Sequence, residues 1–268
     1  MNQSTNKQNK QGDQDDQDDQ AVWVVIPAAG VGKRMQSDVP KQYIRILDKT
    51  VIEHTLECFT SHPRVAGIVI ALHSDDPYWK NIANKIQSAV PIYTVEGGQE
   101  RCESVMQGLD YLSMVERLKK DQWVMVHDAA RPCLISKDID ALLALIDQTD
   151  DSADGAVIGG ILATPVKDTM KRAKQGTNTI LKTESRDDLW HALTPQLFRL
   201  GELYDALEQG LDAQANMTDE ASALEAKAKA EEMLSDKSGK IDFAKAQAEL
   251  AQAMSQLRTL DRLRKRGR

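Results

Sequence analysis

The 268-residue sequence has little of several features that would define a protein class on their own. Its three cysteines, Cys58, Cys102 and Cys133, are odd in number and lack metal-ligand spacing, which argues against a disulfide framework and a zinc site. No run approaches the roughly 18 apolar residues of a membrane span. The N-terminus also lacks a signal-peptide pattern. We therefore expect a cytoplasmic protein with reduced thiols and no membrane partner.

An excess of positive charge is also missing. Lysines and arginines number 34 against 41 acidic residues, and the formal net charge is -7. A surface that neutralises nucleic-acid phosphates needs the opposite balance, so we do not expect nucleic acid as the main partner. Cations that this acidic chain places close together are therefore informative about an anionic ligand.

The chain falls into three parts by composition. Residues 1–20 are polar and without hydrophobic periodicity, and we interpret them as a disordered leader. Residues 21–225 alternate apolar runs with amphipathic segments, which predicts an α/β domain: a Rossmann-like, mostly parallel sheet with helices on both faces. Residues 226–268 are rich in alanine and lysine, and their apolar residues alternate at three and four positions, which predicts a helical hairpin.

Predicted elements follow from these patterns. The first strand begins at Val22; the other strands are expected at 67–72, 91–95, 123–126 and 156–163, and helices at 50–62, 77–87, 101–119, 136–148 and 196–211. Residues 164–188 break the alternation and predict a two-stranded β-arm that turns at 175–178. Such an arm has too little apolar surface to be stable alone, so we expect it to pack on another subunit.

The first strand leads into a loop that we interpret as a phosphate cradle. Gly30 and Gly32 allow backbone N–H groups to approach a ligand. The cations that follow are Lys33, Arg34 and Lys41. Backbone donors next to clustered cations suit a triphosphate. The alternative is a plain glycine turn with solvated lysines.

Two common glycine motifs do not fit this loop. The dinucleotide fingerprint requires a third glycine where the chain has Met35, and the Walker loop requires Ser or Thr where Arg34 follows Lys33. Loops at Gly98 and Asp128 also follow predicted strands, and ligands of open α/β sheets bind beyond the carboxyl ends of strands. We therefore expect these loops to line one cleft.

The histidines next to apolar runs have a structural interpretation. We predict that His127 and His191 are packed and hydrogen-bonded rather than acid-base catalysts, and that Arg131 pairs with a nearby carboxylate. Asp128 is expected to bind a ligand rather than only cap a turn.

Seven motifs occur in a specific order between about Val22 and Glu225. They are Pro27-Ala28-Ala29-Gly30 with Gly32 and Arg34, Pro40-Lys41-Gln42-Tyr43, Gly97-Gly98 with Arg101 and Ser104, Val126-His127-Asp128-Ala129-Ala130-Arg131-Pro132, Pro165-Val166-Lys167-Asp168-Thr169, Trp190-His191-Ala192-Leu193-Thr194-Pro195-Gln196, and Thr218-Asp219-Glu220-Ala221. With this set the sequence resembles the 2-C-methyl-D-erythritol 4-phosphate cytidylyltransferases of non-mevalonate isoprenoid biosynthesis.

The resemblance implies a homodimeric nucleotidyltransferase that joins CTP to methylerythritol phosphate, uses Mg²⁺ and releases pyrophosphate. The implied catalytic residues are Arg34, Lys41 and Arg186. The implied nucleotide-binding residues are Pro27, Ala28, Ala29, Gly30, Gly32, Arg34, Gly98, Ser104 and Asp128. The implied substrate-binding residues are Asp128, Thr169, Arg186 and Thr194. By this likeness, Thr169 and Arg186 lie in the arm, which crosses to the partner subunit at residues 164–188.

The chemistry implied by the resemblance needs cations more than a base. A phosphate oxygen attacks the α-phosphorus of CTP, so the nucleophile is already an anion and repulsion is the obstacle. Residues such as Arg34, Lys41 and Arg186 would neutralise this charge. Mg²⁺ prefers oxygen ligands and retains water, so we expect the phosphates to hold it and no protein metal site.

The sequence departs from the family pattern after Glu225. The family continues with a glycine-containing turn, a strand and an element whose lysine binds substrate phosphate, whereas residues 225–265 look like the C-terminal helical hairpin of the ATP synthase epsilon subunit. A plain helical tail is the alternative. Without that lysine we expect CTP binding but slow turnover, unless a tail lysine substitutes.

Two other functions remain open at this point. A cytidylyltransferase for ribitol phosphate or another sugar phosphate has the same triphosphate loop, because that loop does not identify the acceptor. A catalytically inactive nucleotide-binding module, whose hairpin contacts a rotary ATPase or another partner, would also fit the sequence.

Overall fold

The computed structural model describes residues 21–30, 39–148, 157–213 and 217–235. The predicted leader, the loop residues Gly32, Lys33 and Arg34, and the second half of the predicted hairpin lie outside the described residues. The chain divides into two units between Leu224 and Glu225. Each is described by itself.

A six-stranded sheet forms the centre of the first unit. The strands, in chain order, are β1 (Val22–Pro27), β2 (Arg45–Ile46), β3 (Lys49–Thr50), β4 (Val65–Leu72), β5 (Ile92–Glu96), β6 (Trp123–Val126), β7 (Gly159–Pro165), β8 (Met170–Ala173), β9 (Ile180–Glu184) and β10 (Trp190–Arg199). Six of these strands form the central sheet, in the order β5-β4-β1-β6-β10-β7. Strands β5, β4, β1 and β6 pair in parallel, and β10 runs antiparallel to both β6 and β7. The mostly parallel sheet predicted from the sequence is thus confirmed.

Helices cover both faces of this sheet, as predicted. They are α1 (Val51–Thr60), α2 (Trp79–Ala83), α3 (Arg101–Met114), α4 (Ser136–Gln148), α5 (Leu200–Asp212) and α6 (Glu220–Ser235). Strand β1 explains why its sequence does not alternate: Val24 packs with α1 and α4 on one face, and Val25 packs with α3 and α5 on the other. Both side chains are fully buried, which is the environment that a continuous apolar run requires.

Local signals fix the element ends. Thr50 caps α1 through a capping box with Glu53, which supplies partners for N–H groups of the first turn. Helix α3 ends at Met114 rather than at 119, because the chain turns there and Arg117 adopts a left-handed φ of 58°. Helix α2 is also shorter than the predicted 77–87. The predictions for 123–126 and 136–148 are confirmed.

The prediction of a helix over 196–211 is wrong at its start. Gln196 pairs with Val126 and Phe198 with Val124 across the sheet, so β10 continues to Arg199 and α5 begins at Leu200. Leu197 packs on one face of the sheet and Phe198 on the other. A helix would place these neighbouring side chains about 100° apart, whereas a strand points them in opposite directions.

The predicted arm is confirmed as a two-stranded unit. Strands β8 and β9 pair antiparallel, and the chain reverses through Gly176, whose φ is 73°. Large apolar side chains of the arm and its base are exposed, among them Ile180 at 62% and Leu181 at 64%.

Within the described residues, no helix is both long and apolar enough to traverse a bilayer.

Helix α6 bears on the predicted C-terminal boundary. The helix runs from Glu220 to Ser235 without interruption. The boundary predicted at residue 225 therefore lies inside a helix rather than at a turn.

Candidate active site

A cleft of about 1020 Å³ opens at the carboxyl ends of strands β1, β4, β5 and β6. The described residues that line it are Pro27–Gly30, Lys41, Gln42, His73, Ser74, Glu96–Arg101, Ser104 and Asp128–Arg131. The loops at Gly30, Gly98 and Asp128 thus meet, as expected for a sheet of this type. Lys41 lies in the same cleft as Asp128, and Arg34 lies outside the described residues.

Gln42 fixes the loop that follows β1. Its side chain is buried, and Nε2 donates to the carbonyl oxygens of Ala28 at 2.7 Å and Gly30 at 3.3 Å. The neighbouring Tyr43 donates its hydroxyl to Asp76 at 2.7 Å and stacks on Tyr78. The turn that carries Lys41 is therefore attached through Gln42 to the loop after β1 and through Tyr43 to Asp76 and Tyr78.

The loop between β5 and α3 uses its own side chains to satisfy its backbone donors. The Ser104 hydroxyl accepts from Gly98 N at 3.1 Å, and the Glu103 carboxylate accepts from Gln99 N at 2.6 Å and Glu100 N at 3.0 Å. Gly97 N donates to Leu72 O. These four consecutive N–H groups are engaged, and the carbonyl oxygens of Gly98 and Glu100 accept from Ser104, so the backbone groups that this loop can offer to a ligand are its remaining carbonyl oxygens. Acceptors suit the amino group of a base better than a phosphate.

Two glycines of this loop are required by close packing. A Cβ on Gly97 would lie 2.6 Å from the Cβ of Ala29, and a Cβ on Gly98 would lie 2.2 Å from the Cβ of Glu103. Any larger residue would therefore displace either the β1 loop or the Glu103 carboxylate. Gly30 differs, because a Cβ there would meet no described atom within 4 Å.

Two arginines hold the Asp128 carboxylate. Oδ1 accepts from Arg101 Nε at 3.0 Å, and Oδ2 accepts from Arg131 Nε at 2.9 Å. Burial raises the pKa of Asp128, but the guanidinium groups outweigh it and the net pKa lies below its ordinary value. Asp128 therefore stays ionised and is a poor base. The predicted pairing of Arg131 with a carboxylate is confirmed.

A hydrogen-bonded chain of defined direction supports the Asp128 loop. Asp128 N donates to Thr194 Oγ1 at 3.3 Å, Thr194 Oγ1 lies 3.0 Å from His127 Nδ1, and His127 Nε2 lies 3.1 Å from Arg131 O. A carbonyl only accepts, so we assign the proton of His127 to Nε2, and the Thr194 hydroxyl must donate to Nδ1. Burial lowers the pKa of His127 to about 4, which matches a neutral ring.

These contacts place Thr194 behind the cleft rather than in it. Its side chain is buried, and it is not among the described residues that line the cleft. The prediction that His127 is packed and hydrogen-bonded is confirmed. The same prediction for His191 is wrong, because His191 is exposed at the end of β10 nearest the arm.

The arm residues do not join this cleft within one chain. Thr169 and Arg186 are exposed, and Arg186 Nη1 donates to the backbone oxygen of Lys167. Of the predicted cations, a single chain thus brings only Lys41 to the described part of the cleft.

The comparison with known sequences decides the class of protein. The sequence profile of the 2-C-methyl-D-erythritol 4-phosphate cytidylyltransferases matches residues 22–258. The chain belongs to this family. It is 48% identical over 204 residues to the family's enzyme of Alteromonas mediterranea, a match that covers 76% of this chain and 79% of the other. It is 49% identical over 201 residues to that of Photorhabdus laumondii, covering 75% and 80%.

Solved structures agree with this assignment to the cytidylyltransferase family. The Francisella tularensis 2-C-methyl-D-erythritol 4-phosphate cytidylyltransferase superimposes with a TM-score of 0.62 at 35% identity, covering 78% of this chain and 87% of the other. A 4-diphosphocytidyl-2C-methyl-D-erythritol synthase superimposes with a TM-score of 0.61 at 37% identity, covering 78% and 85%. The chain is thus a nucleotidyltransferase with the α/β, Rossmann-like fold of these enzymes.

The Thr218-Asp219-Glu220-Ala221 motif is one of the seven that carry the family resemblance, but the sequence analysis gave it no role. The structure places Glu220 against Arg101, which in turn holds Asp128. Gln196, another residue without a predicted role, donates to Asp219 Oδ2 at 2.8 Å. The sequence signal for Glu220 was limited to its place in this motif, because its burial and its contact with Arg101 are seen only in the structure.

Proposed function

We propose that this protein transfers a cytidylyl group from CTP to 2-C-methyl-D-erythritol 4-phosphate, giving 4-diphosphocytidyl-2-C-methyl-D-erythritol and pyrophosphate. The observation that carries the proposal is a single cleft, in a member of this family, that combines Lys41 with an acceptor-rich loop and an ionised Asp128. These groups match the three parts of the reacting pair, which are phosphates, an amino-bearing base and hydroxyl groups.

The reaction is a displacement at phosphorus. An oxygen of the acceptor phosphate forms a bond to the α-phosphorus of CTP, and the bond from that phosphorus to the bridging oxygen of pyrophosphate breaks. The nucleophile carries no proton that must be removed, so the low basicity of Asp128 is no obstacle. Lys41 supplies positive charge at the cleft, and the fixed Asp128 accepts hydrogen bonds from hydroxyl groups and aligns them.

We also propose Mg²⁺ as the metal that accompanies the triphosphate. The part of the chain that the structure describes contains no group of three His, Cys, Asp or Glu side chains arranged for a metal. Asp128 has both oxygens engaged by arginines. This donor set suits an ion that phosphates and water hold, and bound Mg²⁺ would neutralise charge on the phosphate oxygens. Arg34 would add to that charge.

The arm supports the proposal of a homodimer with a shared site. Its exposed Ile180 and Leu181 need an apolar surface to cover them, and Thr169 and Arg186 are not among the described residues that line the cleft of their own chain. We therefore propose that the arm brings these two residues to the substrate phosphate in the partner subunit. Ile180→Asp should lower the mass measured by light scattering from that of a dimer to that of a monomer.

A cytoplasmic location completes the proposal. Cys58, Cys102 and Cys133 are free in the described structure, which suits a reducing compartment.

The tail is the part of the chain for which the sequence predicts a departure from the family. Pairwise matches cover 79–83% of the relatives' lengths, whereas the family profile extends to residue 258. We expect turnover slower than that of the Alteromonas mediterranea relative assayed in parallel, because the resemblance implies a phosphate-binding lysine element that we do not find in the sequence after Glu225.

A mass-spectrometric product assay tests the proposal. Purified protein is incubated with CTP, Mg²⁺ and either methylerythritol phosphate or ribitol phosphate, and pyrophosphate release is followed alongside. We expect the cytidylyl product with the first acceptor only. Product with ribitol phosphate alone would change the acceptor, and CTP binding by calorimetry without any product would favour the inactive nucleotide-binding module.

A further inference from the structure

Glu220 is a buried acid that touches the cleft through one other side chain. It is the first residue of α6, and its side chain is only 1% exposed. Oε1 accepts from Arg101 Nη1, while Arg101 Nε and Nη2 lie 3.0 and 2.9 Å from Asp128 Oδ1. Arg131 completes the series on Asp128 Oδ2. The four side chains form a row of alternating charge from the protein interior to the cleft, which we call the charge row.

The backbone of Glu220 is itself held in place. Gln196 is buried on β10 and brackets the residue: its Nε2 donates to Asp219 Oδ2 at 2.8 Å, and its Oε1 accepts from Ala221 N at 3.1 Å. Ser222 N donates to Asp219 Oδ1 at 3.0 Å, which caps the helix. The inner end of the charge row is thus fixed to the central sheet, whereas Arg131 at its outer end is 45% exposed.

Packing alone does not explain a carboxylate at this position. Glu220 Oε2 is buried and has no hydrogen-bond partner among the described residues, and burial raises the pKa of the group. Burial alone does not require a charged pair here, because replacing both partners of a buried ion pair by apolar residues is often neutral for stability. An apolar residue at position 220 would not hold Arg101 Nη1. With Nη1 held by Glu220, Arg101 Nε and Nη2 face Asp128 in one orientation.

We propose that Glu220 is a positioning residue for cytidylyl transfer: it orients Arg101, which sets the position of the Asp128 carboxylate in the cleft. The inference rests on the proposed function for its kinetic readout but not for its structural one. Under this proposal Glu220, the first residue of α6, contributes to the reaction, although it is not among the described residues that line the cleft.

A double-mutant cycle tests this role. Glu220→Gln keeps the shape and one acceptor oxygen, Glu220→Leu removes both acceptors, and each is combined with Asp128→Asn. Glu225→Gln is the matched control, since Glu225 is an exposed acid on the same helix. We expect Glu220→Leu to lower kcat/KM by about 10- to 100-fold, the range for loss of a charged hydrogen bond, and Glu220→Gln by less. Glu225→Gln should leave kcat/KM unchanged.

The combined variants separate positioning from a general structural role. If Glu220 acts through Asp128, its substitution should cost little further activity once Asp128→Asn is present. Equal losses in both backgrounds would overturn the proposal. Thermal unfolding checks that Glu220→Gln remains folded, and if Glu220→Leu does not fold, the Gln variant carries the cycle.

A crystal structure of the Glu220→Gln or Glu220→Leu variant gives the second readout, which does not depend on activity. We expect the Arg101 guanidinium to rotate and lose the Nε contact to Asp128. An unchanged Arg101 and Asp128 in both variants would overturn the proposal even if the protein is an active cytidylyltransferase. If the wild type forms no product, the proposed function fails, and this structure still decides the positioning role.

Discussion

The cleft and the arm hold their polar side chains in opposite ways. In the cleft, Asp128 is fixed by two arginines from its own chain and its loop is tied to Thr194. In the arm, Thr169 is exposed and Arg186 has a backbone oxygen of the same arm as its partner. Side chains of the first kind are oriented before any ligand arrives, whereas those of the second kind need another surface.

The difference shows where a single chain is sufficient. The cleft residues lie on loops between strands of one sheet, so folding of the chain brings them together. The arm exposes apolar side chains, Ile180 and Leu181, that the described part of the chain does not cover, and two strands alone are marginally stable in water. The arm should therefore acquire a defined position only against a second copy, and its residues should act in the cleft of that copy.

The largest expected effect comes from the cleft. Lys41→Ala removes the one predicted cation that the described cleft contains, and loss of a well-placed charge at a phosphoryl site costs about 10² to 10³ in rate. Turnover measured by pyrophosphate release should fall by that factor. Lys85→Ala is the control, because Lys85 is exposed and does not line the cleft. A fall of less than about threefold would remove Lys41 from the mechanism.

Mixing variants tests directly whether the two regions belong to one site. Asp128→Ala and Arg186→Ala should each be nearly inactive. An equal mixture that exchanges subunits should regain about a quarter of wild-type turnover, because half of the dimers are mixed and each of these has one intact site.

The control for this experiment uses two cleft variants. A mixture of Asp128→Ala and Lys41→Ala should regain no activity if both residues serve the same chain's cleft, because every site in a mixed dimer then lacks one of them. Recovery in the second mixture, or none in the first, would contradict the division of the site between cleft and arm.

The pH dependence of stability should report on the buried His127. Its pKa is about 4 in the folded protein against 6.5 as the ordinary value, so the unfolded chain binds an extra proton between these pH values. Stability should therefore be lost as pH falls from 6.5 to 4, by about 3 kcal/mol from this group. Urea unfolding of wild type and His127→Gln across that range measures it.

The comparison of wild type with His127→Gln isolates the contribution of this ring. The pH dependence of the unfolding free energy should be flatter in His127→Gln, because the variant has no side chain at 127 that takes up a proton on unfolding. Equal slopes for wild type and His127→Gln would show that the ring is not buried in its neutral form.

A smaller effect on stability is expected at Thr194. Thr194→Val removes the hydroxyl that links Asp128 N to His127 Nδ1, and leaving buried groups unpaired costs about 1 to 3 kcal/mol. Thr194→Ser keeps the hydroxyl and should recover most of this loss, as measured by urea unfolding. If Val is as stable as wild type but the acceptor KM rises, Thr194 serves the ligand instead, as the family resemblance implied.

The sequence predicted the sheet well where a strand is buried on both faces. The apolar runs Val22–Ile26 and Trp123–Val126 do not alternate with polar residues, and burial on both faces of the sheet explains that pattern. Gln196–Arg199 was assigned to a helix, but a short apolar run such as that around Leu197 fits either period. Its partner strand β6, which lies some 70 residues earlier, decides the outcome.

The site was predictable to the extent that single loops carry it. Gly98, Asp128 and Lys41 follow strands or lie in a motif, so their meeting in one cleft follows from topology. Glu220 is 119 residues from Arg101 in the chain. Pairs at such separation leave no local pattern, and the interaction is visible only in the folded molecule.

Strand β10 carries Thr194 and Gln196 only two residues apart, and each supports a different element, the Asp128 loop and the start of α6. One residue inserted or deleted between them would move either Thr194 or Gln196 away from its partner, because the strand could then keep only one of the two in register. The turn at 174–179 supports neither of these two elements and is exposed. Length variation and epitope tags should accordingly be tolerated at that turn and rejected at residue 195.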